Sequence, residues 1–488
     1  MWNKQTVWAA CGALAMAACG VELPEDEAPV LEQVQRELTA PAYSTLLALP
    51  GTMEGSPLIA SNNPESVSRE GLLLATTQLT PVDPNTVKRT LNNTNFDSTC
   101  PAGSLKQFVF YMHHLNQLGA GARYYVFLEP ATSGTSVSFN AYGAAISQLD
   151  TGTSTGSADS LDPGKSPSYN VSLAQLTGTL PVGVRTAYGS KFINLTSSTL
   201  PYAQTISSRY TLVNLAANAG SSVDARVRVN ANGCLRLRVV AATANNASEA
   251  LADALGKKQF AWGNVPTTST VPGGAPCTDS QSIGWGRPAG IYQYERWAGS
   301  TSVSLTSANS VRGWKWLAAP VNTQLADGQC VPATSDVSPS SNAQRAPALG
   351  YYSTNTSGQT ELRDSDAYST GNYGAEYLLG YGVTNSTGQC VVASLQVSSY
   401  PGTNTCASTT VAKTRHYDGA AQVTENGTKL SPVRLFTKCP TGPHFTTIAS
   451  KQLTAGQTVN WNVKMFIPGL ISIPQGVLLT SCPCGQTC

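Results

Sequence analysis

Two of the four histidines in this chain stand side by side in an apolar run, FVFYMHHLNQ (Phe108 to Gln117). Imidazoles bind metals and transfer protons near neutral pH. The run has the pattern of a strand, in which successive side chains point to opposite faces, so His113 and His114 cannot both reach one metal ion. His416 and His444 are distant in the chain. The pattern therefore predicts no metal site here, with one imidazole against the core or the sheet rim and the other toward water.

Three further patterns could carry catalysis or bind a metal. Glu295 and Glu376 fall in strand-like segments and could form the carboxylate pair of a glycoside hydrolase. Ser154 lies in GTSTG, which matches a nucleophile motif but lacks the strand before it and the helix after it that the motif needs. Asp364 and Asp366 resemble part of a calcium loop that lacks its twelfth-position glutamate. The sequence leaves catalysis undecided and favours a protein with no catalytic residues, metal or cofactor.

Four arginines recur in the segment ARVRVNANGCLRLRVV. Its alternation predicts a hairpin with a loop at 231–233, which places Arg228 opposite Arg236 and Arg226 opposite Arg238. Like charges directly opposed are unfavourable, so this face needs acidic neighbours, stacking partners or an anionic ligand. Two interpretations stay open: a solvated face relieved by carboxylates of a neighbouring strand or loop, and a site for an acidic polysaccharide or a lipopolysaccharide phosphate.

A second candidate surface is aromatic. The segments IYQYERW and GWKWLAA place Tyr292 with Tyr294, and Trp314 with Trp316, two residues apart. Side chains at this spacing share one face of a strand. Exposed aromatic rows can stack sugar rings, whereas the same rows facing inward form a core. The sequence favours the core and keeps glycan stacking as the alternative.

The elements that must position these residues are strands. Period-two alternation runs through segments such as RYYVFLEP, SVSFNAYG, EYLLGYGV and TVNWNVKMFI, which predicts an all-β fold. Hydrophobic residues make up 41% of the chain, enough to build packed cores. The net charge of +2 argues against a nucleic-acid partner, which would require a large basic excess.

The chain length of 488 residues predicts two antiparallel β-sandwich-like domains joined by a short α-helix. The helix is predicted in NNASEALADALGKK, capped by Asn245 and Asn246 and ending at Gly256. A Pro/Gly/Thr-rich connection follows it. The predicted organisation is a signal peptide at 1–18, a lipidated cysteine and acidic tether at 19–43, a first domain at 44–244, a linker at 245–284, a second domain at 285–480 and a Cys-rich tail at 481–488.

The first residues, MWNKQTVWAACGALAMAACG, predict export. Lys4 precedes an apolar stretch of signal length, too short to span a bilayer. The ending Met16–Cys19 resembles a bacterial lipobox, in which the thiol of Cys19 is lipidated and the preceding peptide is removed. Gly20 follows the cysteine, rather than the aspartate linked to inner-membrane retention, which favours the outer membrane or the cell surface. An ordinary secretory signal cleaved near Ala18 is the alternative.

Ten of the twelve cysteines remain when the two in the signal segment are set aside. Exported cysteines oxidise, so up to five disulfides are expected. Cys100 and Cys234 are the two that fall in the first predicted domain, which predicts that they pair. Cys390 and Cys406 flank one strand and its turn, which makes them the second predicted pair.

Five segments carry a family resemblance: LPGTMEGSPLIASNNPESVSREGLLLAT, FVFYMHHLNQ, GWGRPAGIYQYERW, GNYGAEYLLGYGVTN and LTAGQTVNWNVKMFIP. In their order and spacing, the chain resembles an uncharacterised family of exported bacterial proteins, domain of unknown function 3370. The resemblance implies architecture and export, but no activity. The many cysteines and the lipobox depart from the family pattern, which leaves shared anchoring and compartment in doubt.

These features predict a non-catalytic lipoprotein of the cell envelope or surface, stabilised by disulfides and anchored in the outer membrane by lipid. Its predicted ligand is a glycan or a partner envelope protein, with no nucleic acid and no cofactor. Two alternatives remain. One is a glycan-active hydrolase that uses a carboxylate pair in the second domain, and the other is a structural subunit of an envelope assembly.

Overall fold

The structure is a computed structural model. Every residue that it describes belongs to the unit Glu37–Cys488. The predictions for the signal peptide, Cys19, Ser154, Asp364, Asp366 and Cys406 lie outside the described residues. The described ranges are 41–42, 45–62, 66–76, 89–91, 97–149, 167–177, 192–195, 202–258, 289–317, 323–324, 330–331, 344–345, 349–354, 360–363, 368–369, 374–399, 416–438, 444–466 and 475–486.

These ranges contain thirty strands. The first thirteen are β1 (Leu47–Ala48), β2 (Thr52–Glu54), β3 (Leu58–Ser61), β4 (Ser66–Val67), β5 (Gly71–Ala75), β6 (Arg89–Leu91), β7 (Leu105–Asn116), β8 (Ala122–Pro130), β9 (Val137–Leu149), β10 (Phe192–Asn194), β11 (Tyr202–Ile206), β12 (Tyr210–Ala217) and β13 (Ser221–Ala242).

The other strands are β14 (Ala289–Tyr292), β15 (Arg296–Leu305), β16 (Ser310–Leu317), β17 (Thr323–Gln324), β18 (Cys330–Val331), β19 (Gln344–Arg345), β20 (Leu349–Thr354), β21 (Thr360–Arg363), β22 (Tyr368–Ser369), β23 (Glu376–Asn385), β24 (Val391–Ser399), β25 (His416–Glu425), β26 (Thr428–Lys429), β27 (Val433–Lys438), β28 (His444–Leu453), β29 (Thr458–Phe466) and β30 (Gln475–Pro483). The helices within the same ranges are α1 (Pro167–Thr177) and α2 (Glu249–Lys258).

The all-β prediction is confirmed. Along β23, for example, buried side chains alternate with partly exposed ones, as expected for a strand that covers a core on one face. Most strand pairs are antiparallel, but β15 pairs with β23, and β3 with β7, in the parallel direction. The chain between two parallel strands must cross from one end of the sheet to the other. Alternation of side chains in the sequence does not show whether two strands pair in the parallel or the antiparallel direction.

The first sheet has eleven strands and is organised around β13. The first half of β13 pairs with β7 and β9, and its second half pairs with β5 and β8. Buried side chains from all these strands form one apolar cluster, the first core. The predicted hairpin at 231–233 is therefore wrong, because the segment continues as one strand of 22 residues.

The second sheet follows the order β2-β15-β23-β29-β25-β26, with β27 beside β25, and the third follows β1-β16-β30-β24-β28. Their inner faces contribute to a second core, in which the rings of Trp314 and Tyr381 lie 5.2 Å apart. Two sheets that share a core in this way form a sandwich.

Strand pairing crosses the boundary predicted between the two domains. The early strands β1 and β2 pair with β16 and β15, and the late strand β14 pairs with β3. Val109 and Tyr111 of β7 also belong to the second core. The domain limits 44–244 and 285–480 stay a prediction, and any division there must accommodate these exchanged strands.

The predicted linker helix is present, with different ends. A 3-10 turn at Ala244–Asn246 precedes α2, and the hydroxyl of Ser248 accepts the N–H of Leu251 at 3.3 Å. Ser248 is thus the cap, rather than the asparagines, and Gly256 lies inside the helix. Helix α1 was not expected, because its segment PSYNVSLAQLT mixes polar and apolar residues without a clear helical stripe. No helix within the described ranges has the length and apolarity needed to cross a membrane.

The disulfides confirm one predicted pair and correct the other. Cys100 and Cys234 are bonded, with their Cα atoms 5.6 Å apart. Cys390 is bonded to Cys484, 94 residues away, so its predicted pairing with Cys406 is wrong. Chain proximity misleads here because β24 and β30 are neighbours in the third sheet. Cys482 is disulfide-bonded as well.

Candidate functional site

Strand β7 lies between the two cores and carries the two histidines. Both are buried, so the prediction of one imidazole toward water is wrong. Nδ1 of His113 lies 2.7 Å from a carboxylate oxygen of Asp224, and Nε2 of His114 lies 3.0 Å from the hydroxyl of Ser61. The side chains point to opposite faces, as expected, but each face is covered by a core. Among the residues that the structure describes, no group of three or more His, Cys, Asp or Glu side chains is placed to hold a metal ion.

A charge cluster lies where the first sheet meets the second. Its centre is Arg226 of β13, whose side chain is fully buried. One guanidinium nitrogen, Nη2, lies 3.5 Å from Glu295 and 3.9 Å from Glu376. Nε donates to the carbonyl oxygen of Gly374 at 2.9 Å, and Nη1 donates to Oε1 of Gln175 on α1 at 2.7 Å. The arginine therefore connects the first sheet, α1 and the second sheet.

Three further cations surround the two carboxylates. Glu295 accepts from Arg228 at 2.8 Å and from Arg296 at 3.1 Å. Glu376 lies 3.4 Å from Nζ of Lys464 and 3.7 Å from Nε of Arg296. These cations lie progressively closer to solvent, since the exposed fractions of their side chains are 13% for Arg228, 25% for Arg296 and 36% for Lys464. The cluster is closed on its inner side and partly open on its outer side.

The charges within the cluster act on one another. Burial by itself would raise the pKa of Glu376, but the positive charges of Arg226, Lys464, Arg228 and Arg296 outweigh this and hold that pKa below its usual value. Burial lowers the pKa of Lys464, and the positive charges of Arg226 and Arg228 lower it further against the attraction of Glu376. The carboxylate is therefore held ionised, while the ammonium lies in surroundings that are already positive.

The predicted opposition of arginines does not occur. Arg236 faces Glu129 in the strand register, and Arg238 donates to Glu129 and, at 2.6 Å, to Asp253 of α2. Arg226 and Arg228 instead meet the Glu295 and Glu376 carboxylates. The interpretation that neighbouring carboxylates relieve the arginines thus describes three of the four, namely Arg226, Arg228 and Arg238, but these three are largely buried rather than solvated.

The aromatic pairs do not form exposed rows. Tyr292 and Trp314 are buried in the second core, which leaves no face for a sugar ring. Tyr294 is half-buried, and its hydroxyl accepts a hydrogen bond from Gln293 at 2.9 Å. Trp316 lies on β16, and its side chain is outside the described atoms. The core interpretation favoured by the sequence therefore applies to Tyr292 and Trp314.

A polar groove of about 530 Å³ lies on the face of the first sheet formed by β11, β9 and β13. Uncharged hydroxyl and amide side chains provide most of its polar lining. Asn140 stands opposite Asn230 in the register between β9 and β13. The residues that line the groove are Ser138, Phe139, Asn140, Ala203, Gln204, Thr205, Asn230, Ala231 and Asn232.

The groove side chains are presented by the alternation of their strands. Ser138 and Thr205 share a hydrogen bond of 2.7 Å between their hydroxyls, and the Asn232 side chain accepts the backbone N–H of Ser138 at 2.9 Å. Asn140 and Asn230 are exposed, and neither amide has a hydrogen-bond partner within the described part of the chain. These amides are therefore available to a ligand.

Neither the groove nor the charge cluster was predicted from the sequence. The groove residues are uncharged and match no motif, although their outward positions in SVSFNAYG and RVNAN could have shown a continuous polar row. The sequence indicates Glu295 and Glu376 as a possible catalytic pair, and Arg226 and Arg228 as two of four arginines that need acidic neighbours or an anionic ligand. Their meeting depends on how the first sheet packs against the second, which brings together side chains 69 positions apart in the case of Arg226 and Glu295.

Fold and site together define an all-β protein of packed sheets with a polar groove and a partly buried charge cluster. The chain is similar to the N-terminal CBM22-1-CBM22-2 tandem domain of Xyn10C from Paenibacillus barcinonensis, at 8% identity and a TM-score of 0.13, over 86% of this chain and 92% of that one. A likeness this weak carries no argument about function. Comparisons with protein-family models and with curated proteins give no match, and the resemblance to domain of unknown function 3370 stays a prediction.

Proposed function

We propose that this protein is a non-catalytic binding protein whose ligand is a glycan held in the polar groove. The observation that carries the proposal is the exposed pair of amides, Asn140 and Asn230, in a groove of about 530 Å³. Sugars present hydroxyls that both donate and accept hydrogen bonds. An asparagine amide offers two donors and an acceptor, so it complements such a surface.

The neighbouring hydroxyls support the same ligand class. Ser138 and Thr205 each both donate and accept, and they stand beside Asn232 at one end of the groove. Beyond the residues that line the groove, Tyr142 follows Asn140 on the same face of β9, because strand side chains alternate. Tyr142 is half-buried, with the guanidinium of Arg228 6.0 Å from its ring centre.

The hydrolase alternative is less well supported by the charge cluster. A glycosidase needs one carboxyl that is protonated at its working pH, which requires a raised pKa. The pKa of Glu376 is instead lowered by the surrounding cations, against the effect of burial. Glu295 is fully buried beneath Arg228 and Arg296. A substrate would have to displace both arginines to reach it.

The proposed setting is the cell envelope, with export directed by the first residues and a lipid on Cys19. The disulfides Cys100–Cys234 and Cys390–Cys484 support an oxidising compartment, since cytosolic thiols are kept reduced. The mass of the purified chain tests this part. An amino terminus at a diacylated Cys19 is expected, and an unprocessed terminus would contradict it.

The groove is tested by measuring binding of the full chain, purified in mild detergent, to an array of bacterial and plant polysaccharides. We expect specific binding of at least one polysaccharide. The double substitution Asn140→Ala and Asn230→Ala should weaken that binding by about tenfold or more, because each lost hydrogen bond contributes about 1 kcal/mol.

The matched control removes two exposed asparagines outside the groove, Asn218→Ala and Asn309→Ala. This variant should bind as the unchanged protein does. Equal affinity of the groove variant and the control variant would reject the groove as the binding site. Turnover of any polysaccharide that is abolished by Glu376→Gln would replace the proposal with the hydrolase.

A further inference from the structure

The groove and the charge cluster are neighbours along β13 and β9, on one face of the first sheet. On β13, Asn230 and Arg228 lie two residues apart, as do Asn140 and Tyr142 on β9. In the register of these strands, Asn230 faces Asn140 and Arg228 faces Tyr142. Two residues of a strand span about 7 Å. A ligand that lies along the amides therefore reaches Arg228 within a single step of the strand.

Within the described residues, the cluster holds more positive than negative charge. Four cations, Arg226, Arg228, Arg296 and Lys464, surround two carboxylates. A third carboxylate, Glu54, reaches Arg296 at 3.5 Å from a position that is 50% exposed. Even with Glu54 included, four positive charges face three negative ones. An uncompensated charge that is partly removed from water is costly, so this site favours an added anion.

The excess charge is on the accessible side of the cluster. Arg226 and Glu295 are fully buried, whereas Arg228, Arg296 and Lys464 retain exposed surface. An anion that approaches from solvent thus meets guanidinium and ammonium groups before it meets the buried carboxylates.

We propose that the ligand of the groove is an acidic glycan. Its carboxylate, sulfate or phosphate group binds at Arg228, Arg296 and Lys464, and its hydroxyls bind the amides of the groove. Guanidinium groups suit this role because their planar donors match the oxygens of such anions and form strong, charge-assisted hydrogen bonds. The inference rests on the proposed glycan-binding function and adds the chemical class of the glycan.

The first test compares charged polysaccharides with neutral partners that share their backbone. The full chain is tested against polygalacturonate and its methyl ester, dextran sulfate and dextran, and a phosphomannan and its dephosphorylated form. We expect at least one charged polymer to bind about tenfold or more tightly than its neutral partner. The pair that shows this difference identifies the anion. Raising the salt from about 0.05 M to about 0.5 M should weaken the charged interaction, because ions screen exposed charges.

The second test removes one accessible charge. Lys464→Met should weaken binding of the charged polymer by about fivefold to tenfold, whereas Lys464→Arg should retain it. The matched control is Lys451→Met, which also removes a lysine paired with a glutamate, at 2.7 Å from Glu425, but lies outside the cluster. The control should bind normally, and melting temperatures of all three variants show whether each is folded.

The outcomes separate the inference from the function on which it rests. If neutral polymers bind as well as charged ones, or if a folded Lys464→Met variant binds a charged polymer normally, the acidic-glycan inference is wrong. The glycan-binding function then survives if the Asn140 and Asn230 variant loses binding. If no polysaccharide in either set binds, both proposals fail.

Discussion

At the scale of single residues, Arg226 links the first sheet to α1 and to the second sheet. An arginine without exposed surface must have every donor satisfied, because an unpaired charge in the interior is strongly destabilising. Here Gln175, Glu295, Gly374 and Glu376 serve as partners from three separate segments of the chain. Removing one carboxylate leaves the cations around it uncompensated, so the cluster should be sensitive to neutral substitutions.

Glu376→Gln should destabilise the protein by about 3 kcal/mol at pH 7, since it breaks a buried ion pair and leaves the cations in place. Denaturant unfolding measures the loss. The control is Glu249→Gln, which removes a carboxylate 48% exposed and 3.6 Å from Arg209. It should change the free energy of unfolding by less than about 1 kcal/mol. Equal effects of the two substitutions would show that the cluster does not depend on this charge.

Glu376 should also make the stability of the folded protein depend on pH. The pKa of Glu376 is lower in the folded protein than its ordinary value of 4.5, so its contribution is complete above 4.5 and is lost as the pH falls through the lowered folded value. Unfolding measured from pH 6 to about pH 3 should therefore show a steeper loss for the unchanged protein than for Glu376→Gln. Parallel curves would contradict this assignment.

At the scale of elements, two long strands organise the fold. Strand β7 places alternate side chains in the two cores, so both of its faces are apolar and its histidines are buried. Strand β13 pairs with four other strands and carries Arg226, Arg228 and Asn230 on one face. The neighbouring strand β9 has a glycine, Gly143, opposite Val227, which lies between Arg226 and Arg228.

Gly143 lets α1 approach the sheet. Its φ is +146°, and a Cβ atom there would collide with the carbonyl oxygen of Arg226 and with Gln175. Gly143→Ala should therefore lower the free energy of unfolding by about 2 to 4 kcal/mol, from backbone strain and overpacking together. The control is Gly388→Ala, at φ +78° with no neighbouring atom within 4 Å, where only the backbone cost of about 1 kcal/mol applies. Similar losses at both sites would show that the close approach of α1 is unimportant.

At the scale of the whole molecule, the two halves of the chain share strands and a core. Strand β14 completes the edge of the first sheet, and β1 and β2 extend the third and second sheets. The second core includes Leu58 and Tyr111 from the first half beside Trp314 and Tyr377 from the second. An isolated half would lose these partners and expose unpaired strand edges.

Cleavage at a protease site introduced between Val265 and Pro276 should therefore leave the halves associated. We expect one peak in gel filtration under native conditions. Two fragments should separate only in denaturant, and without a reducing agent, because Cys100–Cys234 and Cys390–Cys484 each lie within one half. The uncleaved protein serves as the size reference. Separation of the fragments in native buffer would show that the exchanged strands contribute little and that the two predicted domains are independent.

Local features of the fold could be predicted directly from the sequence. Alternation predicts strands because the side chains of a strand point to opposite faces over a few residues. The helix at Glu249–Lys258 and the Cys100–Cys234 disulfide were also predicted, the first from a local pattern and the second because two cysteines stood alone in their part of the chain. The groove could be predicted only in part. Alternation indicates that Asn140 points outward, but it does not indicate that Asn230 stands opposite it on the paired strand.

Only the tertiary structure decided which distant segments meet. Alternation in the sequence predicts which side chains of β13 share a face. Packing of the first sheet against the second brought Glu295 and Glu376 to Arg226, and pairing of β24 with β30 put Cys484, rather than Cys406, beside Cys390. The packed cores cover both faces of β7, so both histidines are buried, although the sequence predicted that one would face water. The physical reason is that a strand's register and neighbours depend on the free energy of the whole packed sheet, which no short segment contains.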